Sequence, residues 1–257
     1  MKLLITAGNT QAPIDRVRVV TNIFTGRTGA NLARTAWARG HQVTVLTSHP
    51  ETLAELPDRA DDPQCRLTLR SYRTYDELAE MLHQEVREGR FDGILHAAAV
   101  SDFLCAGVYA PEPGTFFNAR THQWECVSPP PQLAERRAGK IKSHEPELWL
   151  RMVRAPKLID RFRSAWGFTG LLVKFKLEVG LSDDELLSVA EGSRRESLAD
   201  LMVANTLDGA DHYAWIGPLH DRYERVPRRE LADRLILALE QIHREHRHRT
   251  SESHPHG

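Results

Sequence analysis

No stretch of this sequence reaches the about 18 consecutive apolar residues that a membrane-crossing helix needs. The opening Met1-Lys2 runs straight into Leu3-Leu4-Ile5-Thr6-Ala7, without the cationic start and small-residue cleavage site of a secretory signal. An excess of one charge is missing too. The 34 Lys and Arg balance 35 Asp and Glu, a formal net charge of −1, so neither a nucleic-acid-binding surface nor a stripe for anionic membrane is expected. Cysteine is scarce: Cys65, Cys105 and Cys126 are odd in number, far apart and without a CxxC pair. A disulfide framework and a zinc knuckle are therefore both disfavoured. These absences lead to the expectation of a cytoplasmic protein with reduced thiols. What remains, 257 residues of which 41% are hydrophobic, is the composition of one ordinary globular domain or two small ones. No internal repeat is present.

Short apolar runs, Leu3 to Ala7, Val43 to Thr47 and Ile94 to Val100, alternate with segments of helical spacing. Gly29 to Arg39 carries Ala30, Leu32, Ala33, Ala36 and Trp37, with Gly40 as its stop, and Asp76 to Arg87 carries Leu78, Met81, Leu82 and Val86. Strand–helix alternation predicts βαβ units and a parallel sheet, hence an α/β, Rossmann-like domain with flanking helices. Phe103 to Gly139 breaks the pattern with Pro111, Pro113, Gly114 and Pro129-Pro130-Pro131, and reads as an irregular flap or insertion. The alternation resumes with Leu148 to Val153, a helix from Pro156 to Trp166, the run Gly170 to Phe175, a helix from Asp183 to Ala199 and the run Leu201 to Ala204. A last amphipathic stretch, Arg228 to Ile242, has Leu231, Leu235, Ile236, Leu239 and Ile242 on one face. One domain over 1–242 is expected, followed by a His-rich, disordered polar tail over 243–257. That tail holds His243, His246, His248, His254 and His256 but no apolar residues to fix ligand geometry, so no metal site is expected there.

The turns after the first run are the strongest local signal. Thr6-Ala7-Gly8-Asn9-Thr10 leaves the strand's C-terminal end, and Asn22-Ile23-Phe24-Thr25-Gly26-Arg27-Thr28-Gly29 leads into the first helix. Ligands of open parallel sheets sit at that edge, where glycines admit a phosphate and helix N–H groups offer donors. Plain turns are the alternative, since neither GxGxxG nor GxxxxGK[ST] is present. The third run ends in His96-Ala97-Ala98-Ala99-Val100-Ser101-Asp102-Phe103. The alanines would let something flat lie on the backbone, and Asp102 would accept from an amino group or bind a metal; a helix N-cap is the competing role for Asp102. Lys140-Ile141-Lys142 puts two lysines on one side of an extended segment, suited to a polyphosphate or to a solvated face. In Lys174-Phe175-Lys176-Leu177-Glu178 the charges share one side, as on an edge strand. No nucleophile–base triad can be read.

Taken in order, Ile5 to Thr10 with Pro13-Ile14-Asp15 and Val17-Arg18, Thr21-Asn22 with Thr25 to Gly29, Ala97 to Phe103, Lys140 to Ser143, and Phe175 to Glu178 with Val203-Ala204-Asn205 resemble the phosphopantothenate–cysteine ligase family. The resemblance implies a Rossmann-like domain that dimerises, and a coenzyme A biosynthetic reaction that joins 4′-phosphopantothenate to cysteine through an acyl-nucleotidylate, using ATP or CTP with Mg²⁺. It implies that Gly8, Thr25, Gly26, Arg27 and Gly29 cradle phosphates, and that Asn22 orients the intermediate. Ala97, Ala98 and Asp102 would line the nucleotide site, Lys140 would stabilise phosphoryl charge, and Phe175 and Glu178 would border base and ribose. Phe103 to Gly139 would lie beside a mobile flap.

Several positions depart from the bacterial pattern. Gly8-Asn9 stands for a pair of glycines, Phe24-Thr25 for a double serine, and Ser143 for a lysine. Ser193, Arg194, Arg195 and Ser197 stand where bacterial members carry lysines. Other segments look closer to the stand-alone eukaryotic form, which favours ATP over CTP. Because the chain starts at the ligase strand, no flavin is expected. Two other readings compete: an NAD(P)-linked reductase, which would want GxGxxG and an acid roughly 20 residues on, and a non-catalytic nucleotide-binding relative.

Overall fold

The computed structural model describes residues 1–54, 56, 66–136, 139–142 and 144–252, with side chains of the last helix as far as 248. Cys65, Ser143, His254 and His256 lie outside the described residues. In chain order the strands are β1 (Lys2–Ala7), β2 (Gln11–Pro13), β3 (Val19–Thr21), β4 (Gln42–Thr47), β5 (Leu67–Ser71), β6 (Gly93–His96), β7 (Phe103–Pro111), β8 (Thr115–Asn118), β9 (Gln123–Cys126), β10 (Leu133–Glu135), β11 (Trp149–Arg154), β12 (Leu171–Glu178), β13 (Leu201–Thr206), β14 (Tyr213–Leu219) and β15 (Arg222–Pro227). The helices are α1 (Arg27–Ala38), α2 (Tyr75–Glu88), α3 (Leu158–Ser164), α4 (Asp183–Glu196) and α5 (Leu231–Glu252).

The main sheet runs β15-β14-β13-β12-β6-β1-β4-β5. Pairing is parallel from β13 to β5 and antiparallel at the β14–β15 edge. The chain leaves β1 for β4 and β5 on one side, then returns to build β6, β12 and β13 on the other. The sheet's topological switch point therefore lies between β1 and β6, and this is where such sheets take their ligands.

Alternate residues of the central strands feed two cores. Leu3, Ile5, Val43, Val45, Leu95, Val173 and Val203 face α1 and α5, while Leu4, Leu46, Ile94 and Leu172 face α2 and α3. Small residues on α1, namely Gly29, Ala30, Ala33 and Ala36, bring that helix close to the sheet. The starts of α2 and α4 are fixed by capping boxes, Thr74 with Glu77 and Ser182 with Glu185.

Three sequence expectations change. The described residues of Phe103 to Gly139 are not irregular throughout. They contain β7 to β10, with β7 paired antiparallel to both β10 and β11. Phe117 and Trp124 each pack a ring at a steep angle against Trp149 of β11, 4.7 Å between centroids, and lie 5.4 Å from one another. Pairing across that many residues, between prolines that mark turns, leaves little local signal. Secondly, α5 does not end at Ile242. A formed helix adds a hydrogen bond per residue as it propagates, and the stretch after Ile242 continues it to Glu252. Thirdly, Lys174 to Glu178 is no edge strand, because β12 lies between β6 and β13. The strands β5, β14 and β15 were not anticipated.

Candidate active site at the β1–β6 switch point

The C-terminal ends of β1 and β6 are tied together beyond the last sheet pair. The Ala99 N–H donates to the Gly8 carbonyl at 2.8 Å, and the Thr10 N–H to the Ala99 carbonyl at 3.3 Å. The same Ala99 carbonyl accepts from Asn22 Nδ2 at 3.0 Å, while the Asn22 carbonyl accepts from Asn9 Nδ2 at 2.6 Å. Ser48 Oγ, after β4, accepts the Asn9 N–H at 2.8 Å. Four segments of the chain thus meet here, at Gly8-Asn9, Asn22, Ser48 and Ala99.

The glycines make this approach possible. Gly26 caps α1 in the left-handed region, φ 83°, and a Cβ there would run into the Gly8 nitrogen, with Gly8 Cα at 2.8 Å. At Gly29 a Cβ would lie 2.6 Å from Ala7 Cβ. The first turn of α1 carries no acidic side chain, so its N–H groups point toward the end of β1 without an internal anion. Thr25 and Arg27 are exposed beside it.

On the α3 side of the sheet a cavity of about 180 Å³ opens at the same edge. Ala98, Ser101, Asp102, Phe175, His96, Lys157, Lys174 and Lys176 are among its lining residues. Three lysines face one carboxylate there. Asp102 is exposed and precedes a strand, so it is no helix N-cap. Phe175 packs from β12 against the α1–α5 core, as Ala97 does, whereas Ala98 packs on the opposite face. Glu178 pairs with Lys176 at 2.8 Å.

His96 is buried. Thr6 Oγ1 accepts the Ala98 N–H at 3.1 Å and makes a second hydrogen bond, 3.0 Å long, with His96 Nδ1. Burial, with the nearby Lys174 charge adding to it, pushes this histidine down to about 4. It is neutral at physiological pH.

Lys140 is exposed and does not line the cavity. Ile141 beside it is buried, which leaves Lys140 and Lys142 on the opposite, exposed side as the alternation predicts. Asp15 holds this segment: Oδ2 accepts the Ile141 N–H at 3.0 Å, and the Arg18 guanidinium bridges Asp15 at 2.5 Å and the Ile141 carbonyl at 3.0 Å. Arg18, the Ile141 N–H and the Val17 N–H hold the Asp15 carboxyl far below the ordinary carboxylate range. Asp15, Ser48, His96 and Lys174 were not singled out as site residues by sequence. Of these only Lys174 left a usable mark, a lysine inside an apolar run.

The likeness to known proteins follows the same region. Residues 1–110 match the family described as DNA/pantothenate metabolism flavoprotein C-terminal domain. The coenzyme A biosynthesis bifunctional protein CoaBC of Thermococcus kodakarensis is 30% identical over 246 residues, covering 94% of this chain and 51% of that protein. This chain is related to the phosphopantothenate–cysteine ligase family. The CoaBC protein of Methanocaldococcus jannaschii is 26% identical, over 82% of this chain and 41% of its own length. The chain thus spans about half the length, or less, of these curated relatives. The crystal structure of the DNA/pantothenate metabolism flavoprotein from Streptococcus pneumoniae superposes with a TM-score of 0.73 at 25% identity, covering 94% of this chain and 99% of that one. A mutant of Cab2 in complex with phosphopantothenate-cysteine shares the fold, with a TM-score of 0.71 at 17% identity, covering 97% and 88%. The fold of this chain is therefore an α/β domain with a mostly parallel central sheet and flanking helices, similar to these structures. A dinucleotide reductase is disfavoured, because the path from β1 to α1 passes through the β2–β3 hairpin instead of a short glycine turn. No described helix is long and apolar enough to cross a membrane.

Proposed function

We propose that this chain joins 4′-phosphopantothenate to cysteine, using ATP or CTP, as a step of coenzyme A biosynthesis. The observation that carries the reading is the knot of Gly8, Asn9, Asn22 and Ala99 at the switch point, flanked by the α1 N-terminus on one face and a lysine-lined cavity on the other. A carboxylate resists amine attack until its oxygen is made a leaving group. Its attack on the α-phosphorus of the nucleotide expels pyrophosphate and leaves an acyl-nucleotidylate. The cysteine amine then attacks the acyl carbon, loses a proton and expels the nucleoside monophosphate.

Gly8, Gly26 and Gly29 let the α1 N-terminus sit against the end of β1, where its N–H groups would cradle phosphates with Thr25 and Arg27 as further donors, and preorganised donors of this kind stabilise developing charge. Asn22, held through Nδ2 by Ala99, orients the acyl-nucleotidylate. Ala97, Ala98, Phe175 and Glu178 border the nucleotide. Lys140 reaches the phosphoryl group from the segment that Asp15 anchors. Mg²⁺ ordinarily binds through one or two carboxylates plus substrate phosphates; Asp102, a carboxylate at the cavity edge, fits that demand, and the ion would neutralise phosphate charge. A homodimer in the cytoplasm belongs to the same proposal. The test is pyrophosphate release by the purified protein with Mg²⁺ and either nucleotide. Release that requires 4′-phosphopantothenate, and turns over when cysteine is added, is expected; release indifferent to phosphopantothenate would overturn the reading.

A further inference from the structure

A lysine is almost never fully buried unless it is paired, because taking the ammonium out of water is costly. Lys174 is 7% exposed, in the central strand β12. Its Nζ donates to the Ser193 carbonyl at 2.8 Å and to Ser197 Oγ at 3.1 Å, both neutral oxygens at the end of α4. Among the described residues no carboxylate is within ion-pair distance of it. Asp160 of α3 and Glu196 of α4 act on it from farther away, opposed by Lys157 and Lys176. Burial lowers its pKa, the sign of an ammonium not compensated within the fold.

The strand register sets Lys174 beside His96, and His96 beside Thr6. The apolar neighbours Leu172 and Met202 show that this face accepts hydrophobic side chains. An unbranched apolar residue would fill the position without the desolvation cost. Lys174 lines the cavity together with Lys157, the neutral His96, Asp102 and Lys176, the last of which is already paired with Glu178. Such a floor favours an anion supplied from outside.

We infer that Lys174 binds a phosphate oxygen of a phosphorylated reactant in this cavity and sets the affinity for it. The inference rests on the ligase reading, which supplies two such reactants, the nucleoside triphosphate and 4′-phosphopantothenate. Neither bond making nor proton transfer is assigned to Lys174; it is a binding residue.

The test compares the whole chain with Lys174→Met, which keeps the stem and removes the charge, and Lys174→Arg, which keeps the charge. Dissociation constants are measured by calorimetry for ATP, CTP, 4′-phosphopantothenate and pantothenate, alongside the unfolding midpoint without ligand. A charged hydrogen bond corresponds to about a tenfold to hundredfold change in affinity. Lys174→Met should lose that factor for the nucleotides or for 4′-phosphopantothenate, and the weakened ligand identifies the source of the phosphate. Pantothenate binding should not change, Lys174→Arg should keep part of the affinity, and the ligand-free Met variant should be at least as stable as the parent. If Lys174→Met does not fold, Lys174→Gln is read in the same way. Unchanged affinity for every phosphorylated ligand, with normal turnover by the parent, would overturn the inference and leave the ligase reading standing. A parent protein that binds none of the phosphorylated ligands would overturn both.

Discussion

Replacing Gly26 by alanine probes the contact on which the site is built. Its φ of 83° costs an ordinary L-residue about 1–2 kcal/mol. The new Cβ would also meet the Gly8 nitrogen, Gly8 Cα at 2.8 Å and the Ala7 carbonyl carbon at 3.1 Å. All three are backbone atoms that cannot rotate aside, and overpacking of this kind costs about 1–3 kcal/mol. Together the loss is about 2–5 kcal/mol, against a total stability of about 5–15 kcal/mol for a typical domain. Two other glycines calibrate the effect. Gly29 is helical, so alanine gains about 1 kcal/mol of propensity against a Cβ 2.6 Å from Ala7 Cβ and 2.9 Å from the Thr6 carbonyl oxygen; the loss should be smaller than at Gly26. Gly192, inside α4, has nothing within 4 Å of an added Cβ, so alanine there should stabilise by up to about 1 kcal/mol. Urea unfolding followed by circular dichroism gives the three values, and turnover is measured where each variant is fully folded. Gly26→Ala should also lose turnover, because relieving the clash separates the α1 N-terminus from Gly8. A Gly26→Ala variant as stable and as active as the parent, or a reversed order among the three, would refute the reasoning.

Further predictions concern charge and the intermediate. His96 is neutral in the fold, at about 4 against 6.5 for the free side chain. The unfolded chain therefore binds the extra proton first, and stability is full above 6.5 and falls as the pH drops toward 4. The difference corresponds to about 3 kcal/mol; His41, also lowered by burial, adds in the same direction. His96→Asn should flatten the fall measured by urea titration between pH 6.5 and about 5, above the range where most carboxylates protonate, and an unchanged slope would assign it elsewhere. Lys140→Ala should cut turnover while moving stability by no more than about 0.5 kcal/mol, as for an exposed residue; full activity in the variant would remove Lys140 from the mechanism. Asp15→Asn, which weakens the hold on Ile141, should lower kcat in parallel with Lys140→Ala, and a normal kcat would show that the clamp is irrelevant to catalysis. Asn22→Asp sets a carboxylate oxygen against the Ala99 carbonyl; it should retain nucleotide binding yet release little product, and normal product release would move management of the intermediate to another residue.

Much of this architecture is legible in the sequence because it rests on local pattern. The apolar runs at Leu3 to Ala7 and Val43 to Thr47 are buried strands, and the small-residue face of Ala30, Ala33 and Ala36 does mark the helix that crosses them. The antiparallel region from Phe103 onward is hidden because it depends on β7 meeting β11, and on Phe117 and Trp124 meeting Trp149, which no short window contains. At the site, the glycines and alanines are visible as residue types required for close backbone approach. The partners that make them meaningful are not: Ser48 lies after β4, and Asp15 reaches Ile141 across 126 residues. Lys174 is misread as an exposed edge charge because the alternation Lys174, Lys176, Glu178 gives one side of the strand but not what covers that side.

The central claim is that the switch-point site activates a carboxylate by transferring a nucleotidyl group to it. 4′-Phosphopantothenate labelled with ¹⁸O in its carboxylate, turned over with cysteine, Mg²⁺ and the preferred nucleotide, tests this directly by mass spectrometry of the products. The account predicts one ¹⁸O atom in each nucleoside monophosphate released and none in the pyrophosphate. Label in inorganic phosphate, with a nucleoside diphosphate as co-product, would show an acyl phosphate route and contradict it.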